Sequence, residues 1–289
     1  MASSRDLRRR IKSVSNTAQI TRAMQMVAAS HMRKAQQAAL NTRPFGQLLY
    51  RIQRRATTNA IDFTHPLTEV REVHKRGVIL IGTDKGLCGS LNTNLFRLAA
   101  QFDPETTLYI TAGKRAAQFI ARTRRQLAAE FTFSDTPRFA EARPIAAFAR
   151  DMFIAGEVDQ VQILATQFVN TLNQKPVLVE FLPIGEIKSV RIVGAESEAD
   201  LASDTTEVLF EPSPGDVLTY LFGHYLNIVV YRALLEAKAS EQSARMVAMT
   251  AATDSATDLI KDLRLEYNKL RQGNITKELL EIAGGQLEN

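Results

Sequence analysis

The feature that most constrains this chain is an uninterrupted helical pattern in its C-terminal quarter. The pattern begins at Ser213, a good capping residue, with Pro214 at the first helical position and Asp216 in the first turn. It contains no further proline and continues to Gly284, which predicts a helix of about 70 residues and about 105 Å. Ordinary globular helices are several times shorter. We therefore expect a second helix, and a surrounding partner, to cover its apolar stripe.

The stripe along this helix follows the alternating steps of three and four that are typical of coiled coils. An extra step of three at Ala252 breaks the register once and predicts local overwinding. Polar Arg232 and Gln242 interrupt the stripe as well. Its members are Leu218, Leu221, Tyr225, Ile228, Arg232, Leu235, Ala239, Gln242, Met246, Met249, Ala252, Ala256, Leu259 and Leu263.

A second long helix is predicted for residues 3–55, with Ser3 or Ser4 as its cap and a break near Pro44 and Gly46. Its apolar residues first follow the spacing of three and four, and the stripe then moves by two positions. The two parts of the stripe are Leu7, Ile11, Val14 and Ala18, and then Ile20, Met24 and Val27.

Between the two helices, short apolar runs alternate with helical patterns, which is typical of an α/β layer with a partly parallel sheet. Residues 56–75 indicate a loop. Strands are expected at 76–82, 107–110, 131–133, 158–169 and 176–181, the last two as an edge hairpin, and helices at 87–101, 114–127 and 139–155.

The predicted fold class is α/β, with a long antiparallel coiled coil of the terminal helices and an inserted, Rossmann-like α/β domain. The terminal helices must pair antiparallel if the insertion begins and ends at one place, so the simplest arrangement is a shaft with a head at one side. The domains are 1–55, a coil helix; 76–185, the α/β domain; 186–212, a connection and foot; and 213–289, the second coil helix.

Composition narrows the functional classes. The chain of 289 residues has no run of about 20 apolar residues, and one cysteine, Cys88, excludes an internal disulfide and favours a reducing, intracellular location. Residues 1–55 hold twelve Lys or Arg but one acid, Asp6, which suggests nucleic acid, anionic lipid or an acidic protein surface as a partner. A solvated basic helix face is the plainer explanation.

The turn Thr83–Ser90 follows the first strand, where α/β domains bind phosphate on backbone amides. It lacks both common glycine-rich phosphate motifs, so a tight strand-to-helix turn is the favoured interpretation. Cys88 is expected to be a buried small side chain, because no His lies near it in sequence. With no recognisable catalytic constellation, we expect no active site, cofactor, metal or small-molecule substrate in this chain.

Three blocks of residues, in order, resemble the gamma subunit family of the rotary, F-type ATP synthase, and the likeness covers essentially the whole chain. The first lies in the N-terminal helix, the second in the turn after the first strand, and the third in the C-terminal helix. They are Asp6–Arg8, Ile11–Val14, Asn16–Thr17 and Ile20–Ala29; Asp84–Asn92; and Ser243–Met249, Ala252–Asp254 and Ile275–Ile282.

The resemblance implies a central-stalk rotor, not itself catalytic, that couples transmembrane ion flow to ATP synthesis or hydrolysis. It implies one copy per complex, standing inside a ring of alpha and beta subunits, bound to epsilon and the c ring, and peripheral to the cytoplasmic face of a bacterial inner membrane. By the family's motifs, beta-subunit contacts fall on Met24, Arg271, Gln272, Thr276 and Glu278, and the foot on the c ring and epsilon on Val208, Phe210 and Glu211.

Some positions depart from the family pattern. His31 stands where many relatives carry Lys, which makes a cationic contact there weaker or pH-dependent. Val208 replaces a common aromatic in the foot, and Gln286 with the ending Leu287–Asn289 changes the tip.

Two other classes compete with this interpretation. A nucleic-acid-binding coil would use the basic N-terminal helix and show strong salt dependence, but that stretch lacks aromatic stacking residues. A nucleotide-dependent enzyme would use the turn Gly86–Gly89 as a phosphate cradle and bind ATP as an isolated chain. Neither class explains two terminal helices of this length.

Overall fold

The computed structural model describes residues 4–42, 44, 65–184, 211 and 213–285. The chain divides into two compact units, each described by itself below. One is Ser30–Ala244, and the other combines Met1–Ala29 with Arg245–Asn289.

The elements follow the predicted order of helix, α/β insertion and helix. The helices are α1 (Ser4–Asn41), α2 (Leu91–Ala99), α3 (Lys114–Arg122), α4 (Phe139–Ile154) and α5 (Pro214–Gly285), and a short 3₁₀ turn covers Pro66–Thr68. The strands are β1 (Arg76–Ile81), β2 (Thr107–Ala112), β3 (Gln126–Phe131), β4 (Gln160–Phe168) and β5 (Gln174–Leu182).

The start of α5 confirms the predicted cap. The Ser213 hydroxyl accepts a hydrogen bond from the Asp216 amide at 3.1 Å and donates to the Asp216 carboxylate at 2.7 Å. The helix then runs for 72 residues without interruption.

The five strands form one sheet in the order β3-β2-β1-β4-β5. The first four are parallel, and β5 pairs antiparallel with β4 at the edge, which confirms the predicted hairpin. Side chains alternate across β1: Val78 and Leu80 face α2 and α3 on one side, while Ile79 and Ile81 face α4 on the other. The Rossmann-like α/β fold is therefore confirmed.

One strand was placed wrongly by the sequence. We expected the third helix pattern to reach residue 127 and the third strand at 131–133, but α3 ends at Arg122 and β3 covers Gln126–Phe131. Arg124 adopts a left-handed conformation, with φ of 53°, and turns the chain early. The following strand, β3, lies at the edge of the sheet and is only partly buried. Its sequence therefore lacks a continuous apolar run, and its Ala and Leu residues resemble a helical pattern.

The middle of α5 belongs to the core of the Ser30–Ala244 unit. Phe222, Leu226, Val230, Leu234 and Ala237 lie in one cluster with α4 and the adjoining sheet face. The seven residues from Ala237 to Ser243 are all buried, so this stretch of α5 has no solvent face.

The second unit contains an antiparallel helix pair. Arg8 of α1 contacts Tyr267 of α5, and Thr21 contacts Thr253, so the partner number falls as the number along α1 rises. The most buried positions of α1 in this unit are multiples of seven apart: Leu7, Thr21 and Ala28. This is heptad spacing, and the predicted antiparallel coil is confirmed.

Two features of the predicted seam were wrong. In α1, Ile20 and Val27 are 60% and 56% exposed, because the seam continues in register through Thr21 and Ala28. In α5, Leu259, which was predicted to lie in the seam, is 47% exposed. Steps of four and three continue without a break through Met249, Thr253, Ala256, Ile260 and Leu263, so no overwinding is required. Counting apolar residues alone missed the polar seam residues.

Candidate subunit interface on the helical coil

The C-terminal end of α5 is uncovered within the described part of the chain. Leu263 is the last buried seam residue, and Tyr267 and Leu270 are half-buried. The register of the helix pair puts Ser4, where α1 begins, opposite about position 271. From Arg271 to Thr276 every side chain is exposed, so α5 continues as a single helix past its partner.

This uncovered end carries apolar side chains. Ile275, Leu279 and Leu280 are 48%, 61% and 68% exposed. Most helical stability in proteins comes from tertiary packing, and an isolated helical segment is marginal in water. A partner that covers these residues would supply the missing packing.

The predicted beta-contact residues of α5 lie on this uncovered end. Arg271 and Gln272 are exposed, and the Thr276 hydroxyl donates to the Gln272 carbonyl oxygen at 2.9 Å. Glu278 lies within α5, but its side chain is outside the described residues. Steps of three and four place Arg271, Ile275 and Glu278 on one helical face. A guanidinium on such a face can grip a carboxylate with two hydrogen bonds.

On α1, Met24 is half-buried. It lies three residues after Thr21 and four before Ala28, so it continues the steps of three and four of the seam. Ile20 and Val27, each one position before a seam residue, are exposed beside it. The basic side chains of α1 that are exposed to solvent are Arg5, Arg8, Arg9, Arg10, Lys12, Arg22, Arg33 and Lys34.

His31 is half-buried, and its Nδ1 atom has no hydrogen-bond partner among the described residues. The predicted foot is described only at Glu211, which is exposed; Val208 and Phe210 lie outside the described residues.

The turn Thr83–Ser90 has a structural role. The Asp84 carboxylate accepts the Lys114 amide at 2.9 Å, at the start of α3, and the Thr83 carbonyl accepts the Arg115 amide at 2.9 Å. Cys88 is buried, as expected. A β-carbon at Gly113 would lie 2.5 Å from the Gly82 carbonyl oxygen, and φ there is 100°, so glycine is required for this close approach.

Sequence reasoning missed a buried charge cluster beside this turn. The Lys238 ammonium lies 2.9 Å from Asp135 and 3.0 Å from Glu241, and Asp135 also lies 3.5 Å from Lys85. The Lys238 and Glu241 side chains are 1% and 2% exposed. Burial opposes the charge on Lys238, but attraction to Glu241 and hydrogen bonds to both carboxylates hold its pKa above the usual value. A Lys in an Ala-rich helix gives no signal of this in the sequence.

The fold and the uncovered end of α5 define a structural class of protein, in which a parallel-sheet unit is inserted between the two helices of a coiled coil. A family model described as ATP synthase matches residues 3–287. The ATP synthase gamma chain of Opitutus terrae is 48% identical over 290 residues, covering 99% of this chain and 98% of that one. The gamma chain of Methylacidiphilum infernorum is 44% identical over 291 residues, covering 99% of both chains.

Solved structures agree with the fold. A chain of the Tetrahymena thermophila mitochondrial ATP synthase central stalk and c ring is 25% identical, with a TM-score of 0.62, covering 81% of this chain and 99% of that chain. A chain of a Euglena gracilis mitochondrial ATP synthase matches with a TM-score of 0.68 at 21% identity, covering 98% of this chain and 93% of that chain.

The chain belongs to the ATP synthase gamma chain family. It is therefore a subunit of an ATPase complex, the central-stalk rotor of an F-type ATP synthase. Among the described helices, none has both the length and the apolar character that a membrane crossing requires.

Proposed function

We propose that this chain transmits rotation between a membrane ring of c subunits and the nucleotide sites of beta subunits, and that it hydrolyses nothing itself. The observation that carries this proposal is the uncovered end of α5, where Arg271–Thr276 are exposed on every side and apolar residues follow. Because α5 extends more than a dozen residues beyond the start of α1, its apolar side chains there need another subunit to bury them. A surrounding ring of alpha and beta subunits supplies it.

The contacts with the beta subunits divide between the two helices. Arg271, Gln272 and Thr276 present polar groups at the uncovered end, and the Arg271 guanidinium suits an acidic loop. The family's motif assigns Glu278 to the same contact. On α1, half-buried Met24 lies beside exposed Ile20 and Val27, and the exposed cations of the same helix suit an acidic surface.

Coupling follows from the asymmetry of the shaft. An off-axis shaft gives each of three beta subunits a different contact at any instant, so their nucleotide affinities differ. Shaft angle and site affinity are then linked by a reciprocal free energy. Ion flow can therefore drive synthesis, and hydrolysis can drive pumping.

At the membrane side, Val208, Phe210 and Glu211 form the foot on the c ring and epsilon subunit. The Tetrahymena chain that this one resembles comes from a structure of a central stalk and c ring, which supports the c ring as partner. The complex stands on the cytoplasmic face of the bacterial inner membrane, with one copy of this chain.

The test is copurification. The tagged chain is extracted from host membranes in mild detergent, copurifying proteins are identified, and ATPase activity is assayed. Alpha, beta and epsilon subunits with ATPase activity are the expected result. Recovery of the chain alone, or with nucleic acid, would overturn the proposal.

A further inference from the structure

The carboxyl edge of the parallel strands is the usual ligand site of α/β folds, at the point where the strand order reverses. In this sheet the order reverses between β1 and β4. A residue that follows β3, Asp135, and the end of β4 instead meet the fully buried stretch of α5, Ala237–Ser243, and Lys85, after β1, meets Asp135. The edge that holds a ligand in other α/β proteins holds a helix here.

Polar bonds reach this stretch of α5 from two sides. From the β3 side, Asp135 bonds the Lys238 ammonium at 2.9 Å, and Lys85, after β1, lies 3.5 Å from the second carboxylate oxygen. From the β4–β5 side, the Ser240 hydroxyl donates to the Thr166 carbonyl at 3.1 Å, and the Ser243 hydroxyl donates to the Thr171 carbonyl at 2.8 Å.

These bonds leave α5 in nearly opposite directions. Successive residues of an α-helix are about 100° apart, so Ser240 and Ser243 lie about 200° and about 140° around the axis from Lys238. All partners belong to the same α/β unit: Asp135 lies in the loop after β3, Thr166 in β4, and Thr171 in the loop between β4 and β5. Turning α5 about its own axis therefore stretches the bonds on both flanks.

We propose that this set of bonds is a rotational clamp, in which Lys238 is a positioning residue that fixes the angle of α5 relative to the sheet. The interdigitated apolar core already resists rotation of a packed helix. A hydrogen bond adds to this resistance over a short displacement, because its donor and acceptor must stay within about 3.2 Å of each other. At a radius of about 6 Å, a turn of about 20° moves a group by about 2 Å, enough to break such a bond.

The clamp rests on the proposed function, because a fixed angle matters only where torque passes from the sheet unit into α5. The clamp identifies Ala237–Ser243 as the part of α5 where that torque enters the helix. Buried ion pairs are poor sources of stability compared with apolar residues of similar size. A directional role gives a reason for charge at Lys238 where Leu or Met would fit the core.

The experiment uses the assembled complex in sealed vesicles and measures protons or sodium ions taken up per ATP hydrolysed. Asp135→Ala removes the bond on the β3 side at a half-exposed position. The double variant Lys238→Met with Glu241→Gln removes both buried charges without leaving a lone carboxylate. Lys261→Met is the matched control, since Lys261 pairs with Asp258 at the same spacing of three on α5 but is 69% exposed.

We expect a loss of ion uptake per ATP in both clamp variants, with ATP hydrolysis and assembly of the complex retained. Adding Ser240→Ala and Ser243→Ala to Asp135→Ala should lower the ratio by more than the separate changes together, because the bonds on both flanks are then removed. An unchanged ratio in both clamp variants, or an equal loss in the control, would overturn the clamp. If the unmodified complex hydrolyses ATP but moves neither ion, the proposed function fails instead.

Discussion

At the scale of single residues, Asp84 shows how a motif residue can serve the fold. Its carboxylate accepts the Lys114 amide at the start of α3, where Gly113 offers no side chain to cap the helix. Loss of a helix cap costs about 1 kcal/mol. We expect Asp84→Ala to lower the free energy of unfolding by about that amount, and Asp84→Asn by less.

Chemical denaturation of the purified chain measures the effect of these Asp84 changes. A stability equal to the unmodified chain would mean that the cap contributes nothing. Loss of coupling at unchanged stability would instead assign the Asp84 carboxylate a role beyond the cap.

Arg271 is the opposite case, an exposed side chain with no described packing role. We expect Arg271→Ala to weaken coupling or assembly of the complex while the fold stays intact, because a surface grip is lost and no core is opened. Arg271→Lys keeps the charge but lacks the planar fork, so it should restore only part of the function.

The measurements for Arg271 are ATP synthesis and ATPase rates of the assembled complex, with the melting temperature of the chain as control. Rates equal to the unmodified complex in Arg271→Ala would contradict the predicted contact.

At the scale of elements, the α1–α5 pair is joined by a polar contact inside its seam. The Thr21 and Thr253 hydroxyl oxygens lie 2.7 Å apart, and either can donate, because each also lies near a carbonyl oxygen of its own helix: Ala18 at 3.1 Å from Thr21 and Met249 at 2.8 Å from Thr253. We expect Thr21→Val and Thr253→Val each to cost about 1 kcal/mol, since either change removes the hydrogen bond between the two helices. The double change should cost less than the sum.

A double-mutant cycle on the free energy of unfolding isolates this coupling between Thr21 and Thr253. Strict additivity would show that the two hydroxyls act independently. Apolar Val at both positions also tests whether the seam tolerates a fully apolar register.

At the scale of the whole molecule, the charge cluster predicts a pH profile. The Lys238 hydrogen bond holds the pKa of Asp135 below its usual value, so this carboxylate stabilises the fold above about pH 4 and loses that effect as pH falls through its folded pKa. The pKa of Lys238 is raised, so its contribution is complete below about pH 10 and is lost as pH rises further.

We therefore expect Asp135→Asn to be less stable than the unmodified chain by at most about 1 kcal/mol, because Asp135 is half-exposed and screened. The difference should stay constant from about pH 5 to about pH 9 and shrink below about pH 4. Thermal unfolding of both proteins across this range measures it. A difference that persists at acid pH would show that the charge is not its origin.

The sequence alone determined the features that depend on neighbouring residues. Ser213, Pro214 and Asp216 predict the start of α5, because capping and the helix dipole act within one turn. Alternating apolar runs and helical patterns predict the α/β insertion, since side-chain period reports local geometry. The family resemblance predicts beta-subunit contacts at Arg271, Gln272 and Thr276, and these residues lie on the uncovered end of α5, while the contacts themselves stay a prediction.

Only the tertiary structure decided which residues meet across the chain. Thr253 joins the seam because Thr21 lies opposite it, and apolar periodicity cannot register a pair of hydroxyls 232 positions apart. Lys238 carries a buried charge because Asp135 arrives from beyond β3, more than a hundred residues earlier. Periodicity records how each element is built, whereas the partners of a polar group are set by packing in three dimensions.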